Sequence, residues 1–238
     1  MPAPTPAPVP AGRPAPGTPL IFQWRKWDGS PHWRHECVYL GADEWGDWVG
    51  QTVGWGSARP GKVLNVTGPS VTLIPSLAGG SWSRRLGIDC AEFAVTVNRG
   101  HPKGMRVYID LGWDIRWGGG SEGGSAGGSE PGSEPGSSGG AMPLVTGIDM
   151  DLDVVRMEAV VSDPRGDADP QRGGSTAVED RDEWAEHAAR FGYPADVMAR
   201  LEALALDLEE RVRAEVPPFD AASADVWLDR VEALGIER

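Results

Sequence analysis

Between residues 20 and 117 the chain never sustains a helical period. The apolar runs LIFQW (20–24), ECVYLG (36–41), DWVGQTVGW (47–55), SVTLI (70–74), EFAVTVN (92–98) and MRVYIDL (105–111) are short and are broken by Gly, Pro and Asp. Short runs rich in β-branched and aromatic residues, separated by turn formers, read as antiparallel strands. A small antiparallel barrel or a strongly bent sheet is expected. Nine of the 11 tryptophans lie here, so Trp24, Trp48, Trp55 and Trp113 are expected to fill its core rather than to serve as ligand platforms.

The period changes after Ala177. In VEDRDEWAEHAARFG, Asp180 occupies an N-cap position with Glu183 three residues on. Trp184, Ala188 and Phe191 follow along one side, and Gly192 is the stop. Pro194 opens a second helix striped by Val197, Leu201, Leu204, Leu208 and Val212, which Pro217–Pro218 end. A last helix carries Trp227, Val231 and Leu234. These stripes read as core. The fold class is therefore α+β, a β-barrel or bent sheet followed by C-terminal helices.

Three stretches cannot contribute to a core. Residues 1–19 are mostly Pro and Ala and read as an extended arm. Residues 118–140 are a Gly/Ser-rich spacer, and 162–175 (SDPRGDADPQRGGS) form a second polar insertion. A single domain over 20–238, interrupted by these two insertions, is expected. The arm lacks the basic start and apolar stretch of a signal peptide, and no apolar run reaches membrane-spanning length. Cytoplasmic location without membrane association is the expectation. Cys37 and Cys90 are too few for a disulfide framework or a zinc site and read as small buried apolar residues. A net charge of −13 argues against nucleic acid as a partner.

Three motifs could carry chemistry. In GIDMDLDVV (147–155), Asp149, Asp151 and Asp153 alternate with Ile148, Met150, Leu152 and Val154. On a strand this sets one face against the core and lines the other with carboxylates roughly 6.5–7 Å apart. Such a ridge is either a solvated face on an edge strand or a binding site for one or two divalent cations. A calcium loop of the EF-hand type is excluded, because Val154 and Val155 stand where a Gly turn is needed.

The strand MRVYIDL sets Tyr108 and Asp110 on the face opposite Val107, Ile109 and Leu111. Asp110 matters only if its face carries the aspartates. Asp180 and Glu183 are either a helix cap that favours the dipole or two ligands on one side of a first turn. RKWDGSPHWRHE groups Arg25, Lys26, His32, Arg34 and His35 around an Asp28-Gly29 turn. It is either a solvated hairpin or a phosphate clamp with a proton donor.

Taken in order, KWDGSPH (26–32), VYIDL (107–111), IDMDLDVV (148–155), DRDEWAEH (180–187), GYP (192–194) and PPFDAASADVW (217–227) resemble the FomD-like family of nucleotide hydrolases. That family includes a cytidylyl phosphonate hydrolase and nucleoside tri- and diphosphate phosphatases. The resemblance runs from near residue 24 to near 229. It implies a barrel followed by helices, with a site for two divalent ions, normally magnesium or manganese, with cobalt as an alternative.

By the same resemblance Asp149, Asp151, Asp153, Asp180 and Glu183 are metal ligands. Asp110, standing where some relatives have Asn, is a sixth. Lys26 and His32 match the basic catalytic stretch. The phosphatase branch has an arginine directly after this histidine. Here Trp33 intervenes and the arginine is Arg34. The implied activity is metal-dependent hydrolysis of a phosphoanhydride in a nucleoside di- or triphosphate or a nucleotidyl phosphonate. The alternative is a non-catalytic module that binds a cation or a nucleotide.

Overall fold

The computed structural model describes residues 12–76, 92–118, 142–158 and 174–235. Most of the Pro/Ala arm, the spacer from residue 119, most of the second insertion and Cys90 lie outside the described residues. The β-rich part contains β1 (Pro19–Arg25), β2 (Pro31–Ala42), β3 (Gly46–Gln51), β4 (Gly56–Arg59), β5 (Lys62–Asn65) and β6 (Ser70–Pro75). It continues with β7 (Phe93–Asn98), β8 (Met105–Gly118), β9 (Leu144–Met157) and β10 (Thr176–Glu179). Helices α1 (Arg181–Phe191), α2 (Ala195–Arg213) and α3 (Ala221–Ala233) follow.

Seven strands form a ring in the order β1-β9-β8-β7-β6-β3-β2, which the β1–β2 pairing closes. The β1–β9 pair is parallel and the other described pairs are antiparallel, so the barrel is mixed rather than wholly antiparallel. The β4–β5 hairpin extends from β2, and β10 lies beside β9.

Period-two alternation sorts the side chains into two cores. Leu20, Phe22, Trp24, Cys37, Tyr39 and Val145 belong to one cluster within the barrel. Val38, Leu40, Val107, Ile109 and Leu111 point the other way and pack with the helices. Trp24 shows how tightly the inner side is filled. A Cβ on either Gly112 or Gly147 would come within 2.8 Å of its ring, so both strands need glycine where they cross this indole.

The α2 stripe is buried as expected, from Val197 to Val212. Each fully buried aliphatic side chain of this kind contributes about 1.5–3 kcal/mol. Helix α3 is capped by the Asp220 side chain, which accepts from the Ser223 amide at 3.0 Å. Its Trp227 stacks on Trp48, with centroids 5.4 Å apart, and both indole N–H groups donate to Asp43. Leu234 departs from the expected stripe. The helix ends at Ala233, and Leu234 lies beyond it, 37% exposed. No helix among the described residues is long and apolar enough to cross a membrane.

A candidate metal and phosphate site at the barrel mouth

The strand β9 that carries the aspartates is no edge strand. It is paired on both sides, and Asp149, Asp151 and Asp153 are only 8%, 5% and 5% exposed. A solvated ridge is thereby ruled out. Nor does strict alternation survive. Asp110 pairs with Asp153 and Gly112 with Asp149, so two steps on β8 match four on β9. The excess is a bulge centred on Asp151, whose φ is +63°. Asp tolerates this left-handed conformation better than most residues, and the Asp151 amide donates to Asp149 Oδ1 at 2.9 Å. The bulge therefore re-aims Asp151. Its Oδ2 accepts from the Tyr193 hydroxyl at 3.1 Å and lies 2.6 Å from His187 Nδ1 on α1.

The β1–β2 turn brings positive charge to the same place. The parallel register sets Arg25 beside Ile148, so Lys26 comes alongside Asp149. The turn is closed by Gly29 N–H to Lys26 O, at 2.8 Å, and by Ser30 N–H to the Asp28 carboxylate, at 2.9 Å. Lys26 Nζ pairs with Asp149 at 3.2 Å and with Asp151. His32 Nε2 lies 3.0 Å from Asp149 Oδ2. The rest of the basic stretch goes elsewhere. Arg34 faces Glu36 at 3.8 Å and is not brought to the aspartates. His35 points into the barrel, where its Nδ1 lies 2.9 Å from Ser57 Oγ.

Asp110 does share the aspartate face. It is the cross-strand partner of Asp153, and Tyr108, two residues before it, donates its hydroxyl to Asp153 Oδ2. Asp180 is the residue before α1, but it is not a side-chain cap. Its φ is +59° and its carboxylate makes no capping hydrogen bond. Its charge is felt at Asp153 instead. Glu183, one turn into the helix, meets Asp151 and His187, with donor atoms all within 4.8 Å of one another. Glu183 is exposed and His187 half-buried, so the cluster opens to solvent on the α1 side.

Electrostatics divide the carboxylates. Burial pushes Asp153 well above the usual carboxylate range, and the charges of Asp110 and Asp149 push it further. Asp110 is raised in the same way, by burial and by Asp149. Asp149 is also buried, yet the His32 hydrogen bond and the Lys26 charge outweigh that and hold it below the ordinary value. Lys26 is raised despite its burial, by Asp149 and Asp151, and stays cationic.

The donor set fits a divalent cation. Asp151, Glu183 and His187 bring donor atoms together, Asp110 and Asp153 are cross-strand partners, and Lys26 pairs with Asp149 and Asp151. Carboxylate oxygens suit magnesium or manganese, and an imidazole adds a nitrogen donor. His187 and Tyr193 lie in the DRDEWAEH and GYP stretches, but sequence analysis assigns neither a role. The i, i+4 spacing of Glu183 and His187, which puts both on one helix face, is a signal for His187.

No family model matches the chain, and no curated protein sequence matches it. Solved structures do. The fold resembles the crystal structure of the phosphatase SC4828 with the non-hydrolysable nucleotide GPCP, with a TM-score of 0.54 at 17% identity, over 92% of this chain and 90% of that one. It also resembles the structure of FomD in complex with CDP, with a TM-score of 0.51 at 13% identity, over 88% and 89%. This chain shares the barrel-and-helices fold of both.

Proposed function

We propose that this protein is a divalent-metal-dependent hydrolase of a phosphoanhydride, acting on a nucleoside di- or triphosphate or a nucleotidyl phosphonate. The observation that carries this reading is the buried excess of carboxylates at the barrel mouth, with Lys26 and His32 held against it. The shared fold of a phosphatase and of FomD, both solved with nucleotides, supports it.

Asp149, Asp151, Asp153 and Asp110, with Asp180, Glu183 and His187 on the open side, would hold one or two cations. Bound there, such ions neutralise phosphate oxygens and lower the barrier to attack by water. Lys26 keeps its proton and is placed to pair with a phosphate oxygen between Asp149 and Asp151. His32, oriented through Asp149, can hold a proton toward the departing phosphate. Tyr108 and Tyr193 keep their hydroxyl protons, since burial and the neighbouring aspartates raise both phenols. They therefore fix Asp153 and Asp151 as hydrogen-bond donors.

One observation favours a second reading, a non-catalytic nucleotide-binding module. Arg34, the arginine nearest His32, faces away from the site. Phosphate release from a panel of nucleotides with manganese, magnesium or cobalt separates the two. Turnover that Asp153→Asn abolishes, with the fold intact, supports the hydrolase. Metal-dependent nucleotide binding without turnover supports the module.

A further inference from the structure

The turn between β1 and β2 (residues 26–30) carries Lys26 to the aspartates, yet the turn's backbone hydrogen bonds are its own. Lys26 N–H donates to Ser30 O at 2.9 Å, Gly29 N–H to Lys26 O at 2.8 Å, and Ser30 N–H to the Asp28 carboxylate at 2.9 Å. These close the turn on itself and leave its angle to the barrel open. The β1–β2 register also shifts between Gln23 and Arg25, just before the turn. Asp28, Gly29 and Ser30 are exposed, whereas Trp27 is half-buried and packs against the helical core.

We propose that Trp27 is a positioning residue: its indole, seated on Tyr193, sets the turn from which Lys26 reaches the substrate phosphate. The inference rests on the phosphoanhydride reading above and adds to it a residue that touches neither phosphate nor cation.

Geometry is the first argument. The Trp27 and Tyr193 rings lie 5.4 Å apart at 61°, an edge-to-face pair within the favoured range. Tyr193 is a fixed base for this contact. It is buried, with Trp184 5.6 Å and Phe191 6.2 Å from its ring. The Tyr193 hydroxyl donates to Asp151, and Asp151 pairs with Lys26. Lys26, Trp27, Tyr193 and Asp151 thus form a closed circuit, in which Trp27 is the backbone neighbour of the lysine.

Competition for the carboxylates is the second. Lys26 is otherwise held by its ion pairs with Asp149 and Asp151, and the proposed cations use the same two carboxylates. A lysine side chain is a point charge on a flexible four-carbon stem, so its ammonium goes where backbone and partners put it. The anchor at Trp27 stays when those partners are engaged elsewhere. Asp28 also feels the Arg190 charge near the end of α1, but Asp28 is exposed, and such a pair contributes little.

The test is a double-mutant cycle on nucleotide turnover with manganese, alongside manganese calorimetry and metal-free melts. Single turnovers at excess enzyme keep the weak backgrounds readable. Trp27→Ala is expected to lower kcat at least about tenfold with KM changed less than about threefold, since a misplacement of ~1 Å can cost on the order of a hundredfold. Trp27→Phe keeps an aromatic edge for Tyr193 and should recover most of the loss. Manganese affinity should stay near wild type in both variants. A residue acting through Lys26 adds nothing once Lys26 is gone, so Trp27→Ala in a Lys26→Ala background should leave the residual rate unchanged. If Trp27→Ala melts early, Trp27→Leu keeps apolar bulk without the aromatic edge and carries the same expectations.

Additive losses in the cycle, or manganese binding weakened along with kcat, make Trp27 a general support of the fold and overturn the inference. A raised KM at unchanged kcat makes it a substrate-binding surface and overturns it as well. Full kcat in Trp27→Ala sinks the inference alone and leaves the phosphoanhydride reading standing. A wild type that turns over no nucleotide sinks that reading, and this inference with it.

Discussion

His187 Nδ1 lies 2.6 Å from Asp151 Oδ2, a contact between the first helix and the bulged residue of β9. It makes α1 part of the site as well as a cover for the barrel. With Glu183 one turn earlier on the same face, it turns an oxygen-only ridge into a mixed nitrogen and oxygen set.

A nitrogen donor discriminates among metals. Imidazole favours manganese and cobalt over magnesium, which prefers oxygen and retains its waters. His187→Ala is expected to weaken manganese and cobalt binding by at least about tenfold, a loss of ~1.4 kcal/mol or more, and to change magnesium binding less. Titration calorimetry on each ion checks this. An equal loss for all three ions would return His187 to a purely structural ion pair.

Asp180 separates cap from ligand more cleanly than its sequence position suggests. Because its side chain makes no cap bond and its φ is +59°, Asp180→Asn keeps a residue that tolerates the left-handed region while removing the charge. Melting without metal should shift by no more than tenths of a kcal/mol, whereas the manganese concentration needed for half-maximal activity should rise. Glu183→Gln should behave alike. Unchanged metal dependence in both variants would confine the site to the strand aspartates.

The buried His35 predicts a pH dependence of stability. Its folded value is near 4, against an ordinary 6.5, so between these values the unfolded chain binds a proton that the folded chain refuses. Stability must therefore fall as pH drops through that window, by up to about 3 kcal/mol for this group alone. The difference between wild type and His35→Gln in chemical denaturation, measured from pH 7 to pH 4, isolates the contribution. If the two curves stay parallel, His35 does not titrate as its burial requires.

The spacer is expected to be dispensable. Gly118 pairs with Leu144 across the β8–β9 ladder, so the two ends of the intervening segment already meet. Closing a long loop costs only about 0.6 kcal/mol per doubling of its length. Replacing residues 119–141 with a short turn should leave turnover and melting temperature near wild type. A large fall in turnover alone would give the segment a role in substrate binding.

The sequence by itself determined the elements and the residue types. Period-two runs gave strands whose two faces are both apolar, the 3.6-residue stripe of α2 gave a buried helix, and Tyr108 with Asp110 fell on the face opposite Ile109 as alternation requires. These are local properties, set by side-chain direction within a few residues. Tertiary structure decided what alternation could not.

The bulge at Asp151 exists because β8 and β9 differ in length across the same span, a mismatch invisible in either strand alone. It sends one of three equivalent aspartates to a helix formed more than 30 positions later. The same long-range closure brought Lys26 and His32, of the five basic residues, to the aspartates and left Arg34 beside Glu36. Which charge meets which is settled by strand register, and register depends on pairing between segments more than 100 residues apart, here Lys26 with Asp149.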